Sequence, residues 1–179
     1  DASHAIGGHY QGEPVGNCRH SAISVFSFHP VKIITTAEGG LANTNDPELA
    51  QRMADLRSHG ITKDEARFER PAPGPWGYEQ QELGFNYRLS DVHAAIGIAQ
   101  IERLDWMQEA RARIAGLYQQ RMAGIAGVTP MYDGPQRRSW FVYAPRLDAD
   151  LDRDRIIGRL EAEGVSAKPY LPCIHLQPF

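Results

Sequence analysis

Apolar positions alternate with small or polar ones from Ala22 to Phe28, around Ile23, Val25, Phe26 and Phe28, in a stretch rich in strand-forming residues. This pattern predicts a buried strand. A second short strand is predicted over Gly39-Gly40-Leu41-Ala42-Asn43-Thr44, entered through its two glycines. Asp46-Pro47 then supplies an N-cap followed by a proline at the first helical position. Leu49, Met53 and Leu56 fall on one face of the helix that follows, and Gly60 ends it.

From Asp64 to Glu82 the periodicity dissolves into prolines, glycines and charges, which predicts a long surface loop. Ser90-Asp91 caps a helix whose small apolar residues, Val92, Ala95, Ile96, Ala99 and Ile101, predict burial between neighbours. A further amphipathic helix carries Met107, Ala110, Ile114, Leu117 and Tyr118. After Gly124 the character changes. Trp140-Phe141-Val142-Tyr143 reads as a strand, Asp152 to Glu163 as a helix closed by Gly164, and Val165 to Tyr170 as another strand. These patterns divide the chain into residues 1–124 and a small α+β unit over 125–179, without internal repeats.

Composition narrows the class rather than the chemistry. Among 179 residues, 42% are hydrophobic and 23% charged, as in an ordinary globular protein. The formal charge of −3 gives no general attraction to nucleic acid or to an anionic membrane, so neither is an expected partner. No apolar run approaches the ~20 residues that span a bilayer. Cys18 and Cys173 make no disulfide framework, and no Cys/His spacing reads as a metal site. Two thiols of this kind fit a cytoplasmic protein.

The candidate chemistry lies in four short segments. In Ser24 to Gly40, Lys32 follows a hydrophobic run and precedes a Gly-Gly pair, with Ser27 five residues upstream. A lysine held near an electrophilic carbonyl can act as nucleophile or Schiff-base former. Asp1-Ala2-Ser3-His4 sets a carboxylate close to an imidazole. Glu38-Gly39-Gly40 is neither G-x-G-x-x-G nor a Walker loop, and reads as a turn or as a place where backbone approaches a ligand. Gly84-Phe85-Asn86-Tyr87-Arg88-Leu89-Ser90-Asp91 precedes a helix N-terminus, where polar groups suit either an anion or simple capping. Taken alone, these residues give an α/β protein with a candidate lysine centre.

Taken together, the segments DASHAIGGHYQGEPVG, SVFSFHPVKIITTAEGGLANTND, RSHGI and LGFNYRLSDVHAAIGIAQ closely resemble the DegT/DnrJ/EryC1/StrS family of sugar aminotransferases. The likeness runs over most of residues 1–120 and weakly to the KPYLPCIHLQPF ending. The SFHPVKIITTAEGG form resembles the subgroup that makes the UDP-4-amino-4,6-dideoxy-N-acetyl-L-altrosamine precursor of pseudaminic acid.

The resemblance implies a partial large domain and a partial small α+β domain of the aspartate-aminotransferase-like fold type I, with pyridoxal 5'-phosphate as cofactor. It implies that Lys32 carries the cofactor and moves the substrate proton, and that Asp1 pairs with the ring nitrogen. Ala2 would pack on a ring face, His4 would bond the ring 3-oxygen, and Ser27 would donate to the phosphate. Asn86, with Arg88 close by, would reach the phosphate of a neighbouring subunit's cofactor, which makes a homodimer with a shared active site. His29 and His175 would face the nucleotide-sugar. The implied reaction moves an amino group from glutamate to C4 of a UDP-4-keto-6-deoxy-hexose. A 3-keto-sugar aminotransferase and a non-catalytic regulatory member remain as alternatives. Relatives with histidine in place of the lysine act as dehydratases, so the lysine here implies transamination. Family members begin with a glycine-threonine phosphate loop and a ring-stacking aromatic residue that do not precede Asp1. The sequence is therefore expected to be a portion of a longer enzyme.

Overall fold

A computed structural model of the chain describes residues 1–131, 134 and 136–178. Phe179, the last residue of the KPYLPCIHLQPF ending, lies outside the described residues. Contacts divide the chain into two units, Asp1–Gly116 with Asp133–Tyr143, and Leu117–Tyr132 with Ala144–Phe179. This differs from the division expected at residue 124, because the segment before Tyr143 is bonded to the first unit's own backbone.

In the first unit, β1 (His9–Tyr10) and β2 (Glu13–Pro14) make a short hairpin. β3 (Ser24–Ser27) pairs antiparallel with β4 (Gly40–Asn43), Ser24 opposite Asn43 and Ser27 opposite Gly40. Only one face of β3 is buried: Ser24 and Phe26 point inward with Phe28 just beyond, while Val25 is exposed. The expected buried strand is buried on one face, with the period of two that such a position imposes.

α1 (Pro47–Arg57) starts as expected, with the Asp46 carboxylate accepting from the backbone N–H groups of Glu48 and Leu49 at 2.8 and 3.2 Å. The predicted loop after Asp64 holds more order than its composition implies. A 3-10 turn, Glu65–Arg67, follows β5 (Ile61–Thr62), and β5 pairs with β6 (Glu79–Gln80). The Arg67 guanidinium reaches both carboxylate oxygens of Asp55, fastening this turn to α1.

α2 (Asp91–Ile101) is capped by Ser90, whose hydroxyl accepts from His93 N–H. Its expected burial is not found: Gly97 is its one buried residue, while Val92 and Ile98 are 71% and 64% exposed. The helix meets the lysine loop through its smallest residue, since a Cβ at Gly97 would lie 2.9 Å from the Thr36 methyl. α3 (Leu104–Met122) contributes buried Gln108 and Ala115.

The core of this unit is formed by Ala2, Phe26, Phe28, Ile33 and Ile34, with Met107 and Phe141 among the residues packed around it. Burying one such aromatic or branched side chain is worth about 1.5–3 kcal/mol. The hydrophobic positions flanking Lys32 on both sides thus anchor the loop that carries it.

Trp140 to Tyr143, expected as a strand, is irregular. Its polar groups are taken by non-ladder partners: Phe141 N–H bonds back to Ser139 C=O, and Arg111 donates to Trp140 C=O. In the second unit, β7 (Val128–Thr129) pairs with β8 (Arg146–Leu147), and α4 (Arg153–Ala162) is capped by Asp152. Val165 to Tyr170 is irregular as well, because no described strand pairs with it. All described strand pairs are antiparallel and two-stranded.

Candidate active site

Lys32 sits in a loop pinned at its neck. Phe28 N–H donates to Gly39 C=O at 2.9 Å, and Phe28 C=O accepts from Thr36 N–H at 3.0 Å and from the Thr35 hydroxyl at 2.9 Å. Thr36 is buried and its hydroxyl donates to Glu38 C=O at 2.8 Å. Gly39, at φ +153°, closes this neck in a conformation that L side chains rarely adopt, and a Cβ there would lie 2.5 Å from the Thr36 hydroxyl. Its role in this chain is thus to let the neck close against the side chains of Thr36 and Leu89. Within the loop, Lys32 N–H donates to His29 C=O at 2.9 Å, and the next two residues, Ile33 and Ile34, are buried.

The Asp1–His4 segment lies beside β3. Ala2 N–H donates to Val25 C=O at 2.7 Å, and the Asp1 carboxylate accepts from Ser3 N–H at 2.8 Å. Ala2 is buried at 7% exposure. This arrangement brings His4 Nε2 within 2.7 Å of Lys32 Nζ, the ammonium donating to the neutral ring. Partial desolvation of the ring, in a residue that is otherwise exposed, and then the Lys32 charge beside it, push the His4 pKa below the ordinary histidine value.

Phe141 completes the cluster from far along the chain. Its ring stacks on His4 with centroids 4.0 Å apart and planes 13° from parallel, and Lys32 Nζ lies 5.0 Å from the Phe141 centroid. Residues 137–141 form a strap across the Ala5–His9 backbone. Ser139 Oγ donates to Ile6 C=O at 2.7 Å, and buried Gln108 donates to Ile6 C=O at 2.6 Å and to Ser139 Oγ at 3.1 Å. His9 N–H bonds Arg137 C=O at 2.7 Å. Gly7 makes room for this: its φ is +76°, and a Cβ would come within 2.7 Å of Gln108 Nε2.

The structure brings several of the sequence-selected residues together. Asp1, Ala2, His4, Ser27, His29 and Lys32 gather around β3 and the loop that follows it. Ser27 ends β3 and its hydroxyl accepts from His29 N–H at 3.4 Å. His29 is exposed, and its Nδ1 accepts from Val31 N–H at 3.3 Å. Asn86 bridges to Ser58 at the end of α1, and both Asn86 and Arg88 are exposed. Neither is joined to Lys32 or His4 by a described hydrogen bond. His175 is exposed on a 3-10 turn, Ile174–Leu176, of the second unit. Phe141 and its fastening by Gln108 and Ser139 escaped the sequence reading. The signals available were the Gly7-Gly8 pair and a glutamine amid the apolar positions of α3. Among the described residues, no group of three or more His, Cys, Asp or Glu could hold a metal ion, and no helix is long and apolar enough to cross a membrane.

A lysine loop pinned on a strand end thus lies beside the Asp-Ala-x-His segment, and these are two of the segments on which the sequence resembles the sugar aminotransferases. The chain belongs to the DegT/DnrJ/EryC1/StrS aminotransferase family, whose description matches residues 1–179. It is 36% identical to GDP-perosamine synthase of Caulobacter vibrioides, over 99% of this chain and 46% of that protein. Over 118 residues, 66% of this chain and 28% of the relative, it is 47% identical to UDP-4-amino-4,6-dideoxy-N-acetyl-beta-L-altrosamine transaminase of Campylobacter jejuni. Among solved structures it is similar to Helicobacter pylori PseC, an aminotransferase involved in the biosynthesis of pseudoaminic acid. There the TM-score is 0.88 at 30% identity, covering 99% of this chain and 46% of that one. It is also similar to the putative sugar aminotransferase Spr1654 of Streptococcus pneumoniae in its PMP form, with TM-score 0.86, 28% identity and coverage of 99% and 46%. The chain spans about half the length of these full-length relatives.

Proposed function

We propose that this chain carries the lysine centre of a pyridoxal-phosphate-dependent nucleotide-sugar aminotransferase. In this reading glutamate is the amino donor and C4 of a UDP-4-keto-6-deoxy-hexose is the acceptor. The observation that carries the reading is the contact of the Lys32 amine with His4 Nε2 at 2.7 Å, beside buried Ala2 and at the end of the strand that holds Ser27. The donor set suits the group: an amine for an aldehyde, an imidazole for a phenolic oxygen, a carboxylate for a pyridinium nitrogen and a hydroxyl for a phosphate. The names of the relatives, which speak of UDP- and GDP-linked amino sugars, support a nucleotide-linked sugar as substrate.

When bound, pyridoxal phosphate supplies an electron-withdrawing ring that acidifies the proton on the substrate carbon. Lys32 would hold the cofactor through its amine and, as a free amine, would move the substrate proton. Asp1 would pair with the ring nitrogen and keep it cationic. Ala2 would present an apolar surface to a ring face, His4 would bond the 3-oxygen, and Ser27 would donate to the phosphate. His29 and His175 are assigned to the nucleotide-sugar. Asn86 and Arg88, both exposed, are assigned to the phosphate in a second subunit, so the reading includes a homodimer.

The test uses the full-length protein. Lys32→Ala is expected to remove the long-wavelength absorbance of the loaded protein and all transamination; survival of both rules out Lys32 as the centre. Incubation of wild type with glutamate and a panel of UDP-, GDP- and dTDP-keto-sugars, read by mass, is expected to show nitrogen at C4 of the UDP-linked sugar. Activity confined to dTDP-3-keto sugars would overturn the substrate assignment and favour the 3-amino alternative.

A further inference from the structure

We infer that Phe141 is a positioning residue of the lysine centre: its ring, stacked on the His4 imidazole, holds Nε2 toward Lys32 and shields one face of the imidazole from water. The inference rests on the aminotransferase reading for its catalytic meaning, but its structural content stands on this chain's own contacts.

The stack is close, with centroids 4.0 Å apart and planes 13° from parallel, so the imidazole can rotate about its Cβ–Cγ bond only by colliding with the phenyl ring. The same ring lies 5.0 Å from Lys32 Nζ, an attractive distance for an ammonium over an aromatic face. Phe141 therefore touches both members of the 2.7 Å Lys32–His4 contact. It is also fixed from behind. It packs against the core that contains Phe28 and Ile33, and the preceding Ser139 is bonded to Ile6 C=O and to buried Gln108. Gln108 spends its amide N–H groups on this fastening, with bonds of 2.6 and 3.1 Å.

An ordered aromatic cover has a chemical effect on His4. Burial is the larger of the two causes that lower its pKa, and the Lys32 charge is the second. A neutral imidazole held in one orientation offers a defined Nε2 to its partner. His4 is exposed on its other sides, so with the cover removed the stacked face also meets water, protonation becomes easier and the orientation is lost.

The experiment compares Phe141→Ala, Phe141→Leu and Phe141→Tyr in the full-length protein, with circular dichroism to confirm folding. The His4 ring nitrogens are followed by NMR through a pH titration of cofactor-free protein. Phe141→Ala is expected to move the His4 titration upward and to mix its tautomers, Phe141→Leu to do so less, and Phe141→Tyr to restore the wild-type curve. In the loaded enzyme Phe141→Ala is expected to lower kcat by about 10- to 100-fold, the scale of a mispositioned group, with little change in KM. Where Phe141→Ala does not fold, Phe141→Leu decides. An unchanged His4 titration and tautomer in a folded variant overturns the inference. If wild-type protein takes up no pyridoxal phosphate, the aminotransferase reading fails, whereas the cofactor-free titration still decides the role of Phe141.

Discussion

The Lys32 ammonium donates to His4 Nε2 across 2.7 Å, and the imidazole answers by staying neutral to lower pH than an ordinary histidine. Because burial is the larger cause, Lys32→Met is expected to raise the His4 pKa only part of the way to its ordinary value of about 6.5. Lys32→Arg keeps the positive charge but not the primary amine. It is expected to leave His4 depressed while losing the cofactor's long-wavelength absorbance. NMR titration with parallel absorbance spectra separates the two effects.

The same shift has a sign for stability. Between the lowered folded pKa and about 6.5, the unfolded chain binds a proton at His4 that the folded chain does not, so stability rises with pH through that window and falls as pH drops. His4→Gln, which does not titrate, is expected to flatten this part of the profile. Urea unfolding in a series of buffers measures it.

A second titration lies at the turn after β5. Hydrogen bonding from Arg67, the largest cause, holds the Asp55 carboxyl below the usual carboxylate range. This contribution to stability is present above the unfolded carboxylate value and disappears as pH falls through the depressed one. Arg67→Met is expected to raise the Asp55 pKa and to weaken the acid dependence of unfolding, both readable by NMR and denaturant titration.

Gly7→Ala tests the seat of the strap. The substitution places a side chain at φ +76° and a Cβ within 2.7 Å of Gln108 Nε2. The left-handed conformation alone costs about 1–2 kcal/mol, and displacement of Gln108 adds to it. Denaturant unfolding is expected to register at least that loss, with increased exchange of the His9 amide.

Thr36→Val removes the hydroxyl bond that closes the lysine loop against Glu38. A net loss of about 1 kcal/mol is expected. Faster hydrogen exchange at Phe28 and Thr36 amides, with the β3–β4 ladder unaffected, would place the effect in the loop.

What could be read in advance was what neighbouring residues decide between themselves. Asp46-Pro47 and Ser90-Asp91 announced helices because a cap bonds the next two or three residues. The two strands β3 and β4 were legible from the alternation of one and the glycine-led start of the other, whereas their antiparallel pairing was not. Trp140 to Tyr143 carried the side chains of a strand, but a distant donor, Arg111, took the Trp140 carbonyl and the Phe141 N–H turned back to Ser139. The apolar face of α2 promised burial, yet a helix is buried only by what packs on it, and here that contact runs through Gly97. The candidate lysine segment was selected by its ordered motifs. Phe141 stayed hidden, because nothing near residue 141 indicates that it returns to His4.

The strap's fastening joins residues far apart in sequence: the Ser139–Ile6 bond spans 133 positions and the Gln108–Ile6 bond 102. The entropy of closing such loops grows only with the logarithm of their length, about 0.6 kcal/mol for each doubling. Lengthening the exposed stretch around Trp76 and Tyr78, which lies inside both loops, therefore barely changes the cost of seating Phe141 on His4. That surface is free to diversify in length while the aromatic cover of the lysine stays in place.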